Sequence, residues 1–281
     1  MGVFNITAQD GTALAGKIFS PQNPRAVMTL VHGFGEHQGR YQPMIAHLNA
    51  HNLAVVTMDL RGHGESGGPR GVCLDYQLML EDVGAQLTKA MRQFPALPHY
   101  LYGHSMGGGI VLRYISNPKR MADLPSQNLR GVIASAPLIT LPKALPKIQI
   151  AGARLLRRLA PKTVIPNPIS GDKISGLPKE QSLYEADKLN HGKLGVGLAL
   201  DMVANGDVLY TRAQAMELPI MILHAIDDQL TSFEGSERFA ALAPNCQLHS
   251  FEDSQHEMHN DRPRQKIYEL MLGFMGPAKA A

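Results

Sequence analysis

The stretch "LPHYLYGHSMGGGIVLRYI", residues 97–115, decides how the rest of this sequence is read. Its first part, "HYLYG", has the short apolar and aromatic character of a strand. In its second part Met106, Ile110, Val111 and Tyr114 recur at helical spacing until Asn117-Pro118 ends the run. Between them lies a Gly-x-Ser-x-Gly pentad, Gly103-His104-Ser105-Met106-Gly107. A buried strand that turns sharply into a helix presents such a serine hydroxyl at the carboxyl edge of a sheet. The glycines flank it because neighbouring backbone comes too close for a Cβ. A second pentad, Gly64-Glu65-Ser66-Gly67-Gly68, also follows a good strand, "LAVVTMDL". Pro69 and Gly71 come next, and they punctuate a loop rather than open a helix. Ser105 is therefore the nucleophile candidate and Ser66 a loop residue.

Strands alternate with helical patterns on both sides of this stretch. A hairpin is expected over the first 20 residues, turning at Asp10-Gly11. "AVMTLVHG" reads as a strand buried on both faces, followed by a helix over about 43–52 and the strand "LAVVTMD". Residues 76–94 form an amphipathic helix, and "LRGVIASAP" follows the helix after Ser105 as another strand. The alternation stops at Pro137 and resumes at "LPIMILHA", 218–225, with a helix near 232–242, the strand "CQLHSFE" and a last helix over 263–274. This order predicts an α/β fold with a mostly parallel central sheet flanked by helices. The expected core is 1–136 with 213–281. The intervening 137–212, rich in proline and without a clear strand, is too long for a plain loop, and a mainly helical cap is expected there. The closing residues, "PAKAA", are expected to fray.

Composition narrows the function classes. The 281 residues are 44% apolar, with a net charge of +3 too small and too dispersed to indicate a nucleic-acid partner. Cys73 and Cys246 lie far apart without metal-ligand spacing, so each is expected as a thiol. No apolar run of membrane-spanning length and no signal-like N-terminus is present, which predicts a cytoplasmic protein. One segment departs from the even charge. Lys143 to Lys162 holds six basic residues and no acidic one, leaving 21 basic against 24 acidic residues elsewhere. On a helix, Ile148, Leu155 and Leu159 share a face opposite Arg154, Arg157 and Arg158. Such a helix either lies on an anionic lipid surface or packs on its own core with a solvated basic face.

A serine hydroxyl needs a base to take its proton, and the base needs an orienting acid. In α/β-hydrolases these follow in the order serine, acid, histidine. "LPIMILHAIDDQL" offers Asp227 and Asp228 just beyond a late strand. Asp227 fits the hydrolase pattern G-x-x-D-x-x-V/L, with His224 in the glycine place and Leu230 in the last. Asp228 suits a helix cap or a solvent-facing role better. His256, first in the polar loop beyond the last strand, is the base candidate ahead of His259. The developing oxyanion needs two aimed N–H donors, expected from Met106 and from Phe34 in "HGFG". No metal or organic cofactor is required.

In order and along most of the chain, "VHGFGEHQGRY", "DLRGHGESGG", "GHSMGG", the Asp227 region and "HEMH" resemble the monoacylglycerol lipase and lysophospholipase branch of the α/β-hydrolases. The resemblance implies a serine ester hydrolase acting on a lipid with one acyl chain beneath a mobile cap. It also implies that Arg40 and Tyr184, with His104 beside the nucleophile, help to hold the glycerol head; Arg40 alternatively pairs with Glu36. The cap matches the family less well, and His224 in place of glycine is a further departure. The function expected is cleavage of monoacylglycerols to glycerol and fatty acid through an acyl-enzyme. The alternatives are a lysophospholipase, a short-chain carboxylesterase, an acyl transferase or a catalytically silent binding module. The expected partners are a small lipid ester and, through the cap, an anionic membrane surface on the inner face.

Overall fold

The structure is a computed structural model that describes residues 1–276; the "PAKAA" tail lies outside the described residues. Strands β1 (Gly2–Thr7) and β2 (Ala13–Phe19) form the expected hairpin. β3 (Ala26–Val31), helix α1 (Gln42–Ala50), β4 (Leu53–Met58), α2 (Tyr76–Gln93), β5 (His99–His104), α3 (Met106–Ile115), the short α4 (Pro118–Ala122) and β6 (Leu129–Ser135) then alternate. The intervening segment carries α5 (Lys147–Leu159), β7 (Val164–Pro166), α6 (Gly171–Ile174), α7 (Pro178–Ala186), β8 (Lys193–Gly195) and α8 (Val196–Arg212). β9 (Ile220–Ala225), α9 (Phe233–Leu242), β10 (Cys246–Phe251) and α10 (Arg264–Phe274) complete the chain.

The eight-stranded sheet runs β1-β2-β4-β3-β5-β6-β9-β10. Only the β1–β2 and β2–β4 pairings are antiparallel; every pairing from β4 to β10 is parallel. Every residue of β3, β4, β5 and β9 is buried, which is why these strands read as unbroken apolar runs rather than alternations. Alternate side chains serve two cores. Leu101, Val132 and Ile222 meet α2, α3, α8 and α9, while Tyr100, Tyr102, Ile133 and Leu223 meet α1 and α10.

The segment expected to be one cap divides in two. α8 belongs with the core: Leu198 and Leu209 are buried in the larger cluster, and Asn205 Nδ2 donates to Gly109 O at 3.3 Å. Residues before α8 stand over the carboxyl edge of the sheet, and they include a two-stranded antiparallel sheet, β7–β8, that the sequence did not reveal. Three-residue strands, one ending in proline, are too short to carry a periodic pattern.

Candidate active site

Ser105 sits at φ 53°, ψ −119°, a left-handed conformation that few non-glycine residues adopt. It follows β5 directly and opens α3, as the sequence predicts. The strained turn is held because Ser105 N–H donates to Ser135 O at 2.9 Å, and because Gly103 and Gly107 let strand and helix backbones touch. A Cβ on Gly107 would meet the carbonyls of Val31 and His32, and one on Gly103 would meet the Gly107 carbonyl. Ser66, by contrast, is a buried structural link. Its hydroxyl donates to Asp59 O (2.6 Å) and accepts from Ala15 N–H (2.9 Å), tying the loop to β2.

His256 is buried, and its Nδ1 lies 2.7 Å from Oδ2 of Asp228. The carboxylate that meets His256 is therefore Asp228 and not Asp227 as expected: the Asp227 side chain is on the exposed side of the same turn. Counting back three residues from Asp228 reaches Ala225, the last residue of β9, and counting forward three reaches Thr231, so Asp228 takes the acid place of the pattern without its flanking glycine or Val/Leu. The same carboxylate does not cap the helix but holds the turn before it. Asp228 Oδ1 accepts from the N–H groups of Leu230 (2.8 Å) and Thr231 (3.1 Å), while Oδ2 faces His256. Helix α9 is capped by Ser232 itself, whose hydroxyl accepts from Gly235 N–H at 3.0 Å.

Burial alone would push the Asp228 pKa up, but His256 and His224 beside it hold the carboxyl well below the usual range. For His256, burial favours the neutral ring, yet the Asp228 charge more than offsets this and holds its pKa above the ordinary imidazole value. With Nδ1–H donating to Asp228, Nε2 keeps its lone pair. His256 and Ser105 line one small cavity of about 10 Å³, room for about one water, and no hydrogen bond joins them in this state. Such bonds commonly tighten only when substrate is bound. His259 makes no hydrogen bond to Asp228. It is fully buried, stacked on Tyr41 with ring centroids 4.7 Å apart, and burial pushes it down to about 4.

The donors expected for an oxyanion lie beside the serine. A Cβ on Gly33 would stand 3.1 Å from Ser105 Cβ, which brings the Phe34 turn against the nucleophile. Among the described residues neither Phe34 N–H nor Met106 N–H donates to a protein acceptor. The Phe34 ring is fixed edge-on between His63 (5.9 Å) and His191 (5.8 Å).

The polar wall of the small cavity contains Glu36, His104, Tyr184 and Glu257. Arg40 forms a bidentate pair with Glu257 (3.1 and 2.5 Å) and lies 4.9 Å from the Tyr184 ring centroid; Glu36 stands further off at 3.9 Å. The sequence alternative of an Arg40–Glu36 pair is thus secondary to a partner 217 residues away. Glu36 accepts from Tyr41 O–H (2.7 Å) and Gly33 N–H, while its Oε2 has no partner among the described residues. Burial first, and then repulsion by Glu257, push it up to about 7. His104 contacts Ser135 O through Nδ1 (3.2 Å) and faces the His256 ring at 4.7 Å. Glu257, inside the quoted "HEMH", went unassigned in the sequence because its partner is distant. Among the described residues no group of three or more His, Cys, Asp and Glu side chains is arranged to hold a metal.

Ser105 also borders a larger cavity of about 610 Å³, lined by apolar Phe34, Leu138, Leu141, Met202 and Leu230 and by polar groups that include Lys143, Lys173 and Gln229. Leu138, Leu141 and Met202 also line a second cavity of about 350 Å³ between α5 and α8, bounded by Ile150, Leu194 and Ala199.

Known proteins resemble this chain in sequence and in fold. The family described as "Serine aminopeptidase, S33" matches residues 22–263. A monoacylglycerol lipase of Mycolicibacterium smegmatis is 31% identical over 261 residues, 92% of this chain and 90% of that protein. An uncharacterized abhydrolase domain-containing protein of Dictyostelium discoideum is 31% identical over 277 residues, 97% of this chain but 29% of that longer protein. The crystal structure of a soluble variant of monoglyceride lipase from Saccharomyces cerevisiae, 22% identical, superimposes with a TM-score of 0.85 over 98% of this chain and 94% of that one. With the elbow, the parallel sheet and the matched residues in agreement, the chain belongs to the serine aminopeptidase S33 family of α/β-hydrolases.

Proposed function

We propose that this chain is a serine carboxylester hydrolase that cleaves monoacylglycerols to glycerol and fatty acid. The observation that carries this reading is the position of Ser105 in the walls of both a small polar cavity and a larger one that includes an apolar surface of Phe34, Leu138, Leu141, Met202 and Leu230. An ester with a polar alcohol on one side and a single acyl chain on the other fits that position. Ser105 Oγ attacks the ester carbonyl carbon and passes its proton to His256 Nε2, while Asp228 holds the imidazolium. The N–H groups of Phe34 and Met106 face the oxyanion. Collapse breaks the bond to the alcohol oxygen, which takes the proton from His256 and leaves as glycerol. Water then repeats the sequence on the acyl-enzyme, releasing the fatty acid and restoring Ser105. The glyceryl hydroxyls meet Glu36, His104 and Tyr184, with Arg40 neutralised by Glu257. The polar cavity in its present form holds about one water, so Ile174 or Tyr184 of the cap yields when the head enters.

A lysophospholipase reading is favoured by Lys143 and Lys173, which line the larger cavity and suit an anionic head. Rates measured side by side on monoacylglycerols, lysophospholipids and short p-nitrophenyl esters decide. The highest kcat/KM is expected on monoacylglycerol; turnover of short esters alone would reject the proposal. Labelling by a fluorophosphonate probe that disappears in Ser105→Ala separates every hydrolase reading from a silent binding module, and products formed with added alcohols reveal acyl transfer.

The cap also supports contact with an anionic membrane. No helix among the described residues is long and apolar enough to cross one. Yet Ile148 is 80% exposed, Leu155 57% and Leu159 76%, so the apolar stripe of α5 faces outward instead of packing on its own core. Arg154 and Arg158 flank it in solvent, and acyl chains would enter the cavity beneath this helix.

A further inference from the structure

His224 was noted in the sequence only as an apparent break in a glycine pattern. In the fold it is the penultimate residue of β9, fully buried, and its ring stands against the acid of the site. Nε2 lies 3.3 Å from Asp228 Oδ2, the same oxygen that faces His256 Nδ1 at 2.7 Å. On the far side of the ring, Nδ1 meets the buried Ser236 hydroxyl of α9 at 2.8 Å, and Phe233 packs edge-on at 5.8 Å. These contacts select the tautomer. A carboxylate offers only lone pairs, so a bare Nε2 there would set lone pair against lone pair. The Ser236 hydroxyl can donate to Nδ1. The one proton of the Thr231 hydroxyl has acceptors in Asp228 Oδ2 (2.9 Å) and Ala136 O (3.1 Å), so Nε2 has no donor facing it and carries the proton while Nδ1 accepts. Thr231 Oγ1, 2.9 Å from Asp228 Oδ2 and 3.2 Å from His224 Nε2, completes the group.

We propose that His224 is a positioning residue which donates through Nε2–H to Asp228, so that two imidazoles share one carboxylate oxygen. This deepens the hydrolase reading above and rests on it. A donor to Asp228 fixes the carboxylate and draws charge from it, so His256 is held less tightly in its protonated form. Only neutral His256 accepts the serine proton, so this keeps more of the base ready at neutral pH. The charges that face the pair belong to several elements. Glu234 of α9 acts on His224, while His104, His259, Glu257 and Glu36 surround His256.

The test is the pH profile of kcat/KM on a soluble ester for the wild type, His224→Ala and His224→Gln. Loss of the donor strengthens Asp228 as an acceptor for imidazolium, so the acidic limb of His224→Ala should move to higher pH by about half a unit to one unit. Glutamine places an amide N–H near the position of Nε2 and should return the limb towards wild type. An unmoved limb in His224→Ala, or an equal shift in both variants, overturns the proposal. Should the alanine variant fail to fold, ¹⁵N-histidine NMR of the wild type still decides: Nε2–H on His224 is expected, and Nδ1–H overturns it. Ser105→Ala in the same assay separates the two readings. Activity surviving there rejects the triad itself, whereas a Ser105-dependent reaction with an unmoved limb rejects only the role of His224.

Discussion

The two halves of the cap are attached to the protein in opposite ways. Helix α5 has no buried residue, and its link to the core is Arg157, which pairs with Asp201 of α8 (2.7 Å) and donates to Leu74 O (3.2 Å). Residues 171–176, in and after α6, are built into the site. His256 N–H donates to Lys173 O (3.2 Å) and Glu257 N–H to Ile174 O (2.8 Å). The fully buried Asp261 fastens both sides: it accepts from Ser175 Oγ and Gly176 N–H of the cap, and from Ser254 Oγ and Gln255 N–H of the histidine loop. α5 also lines the apolar cavity it shares with α8 through Ile150 and Ala153, but its polar ties are the two made by Arg157, whereas the α6 segment is bonded directly to the backbone of His256 and Glu257. The α5 half is therefore the more loosely tied of the two, while the α6 half is fastened to the loop that carries His256.

The largest effect marks what the fastened half protects. Asp228→Asn should lower kcat by about 10⁴, by analogy with other serine triads, while Asp227→Asn stays within a few-fold; the reverse result would return the acid to its neighbour. Asp261→Asn loosens the fastening without touching substrate, and a misplaced His256 should cost about 10² in kcat with KM little changed. Unaltered kcat there would erase the distinction between the halves.

The loose half is tested on vesicles. Replacing Arg154 and Arg158 by Gln should weaken binding to anionic vesicles by about fivefold per residue, taking about 1 kcal/mol for each basic group near the surface. Arg157 is left out of that pair because it is engaged with Asp201; unchanged binding would reduce the basic face to a solvated surface. Smallest is the pair itself: Arg157→Gln or Asp201→Asn should change stability by no more than about 1 kcal/mol, yet make α5 cleave faster in limited proteolysis. A protected α5 in both variants would mean that other contacts hold it shut.

The sequence by itself determined the elbow, the parallel sheet and which histidine meets a carboxylate beyond the late strands. These rest on local rules: a strand buried on both faces must be apolar throughout, and Gly103 and Gly107 stand where a side chain would collide with backbone. Ser66 was separable from Ser105 for the same reason, since proline and glycine after it forbid a helix. Only the tertiary structure chose between Asp227 and Asp228. Adjacent residues in a turn point opposite ways, and which one faces inward is fixed by a histidine 28 positions further along the chain. The pairing of Arg40 with Glu257, of Arg157 with Asp201, and of His224 with the acid were equally hidden. Each joins residues whose own surroundings look ordinary; the first and last exist because the fold buries a charge or a polar ring that must then find a partner, while Arg157 and Asp201 meet partly in solvent.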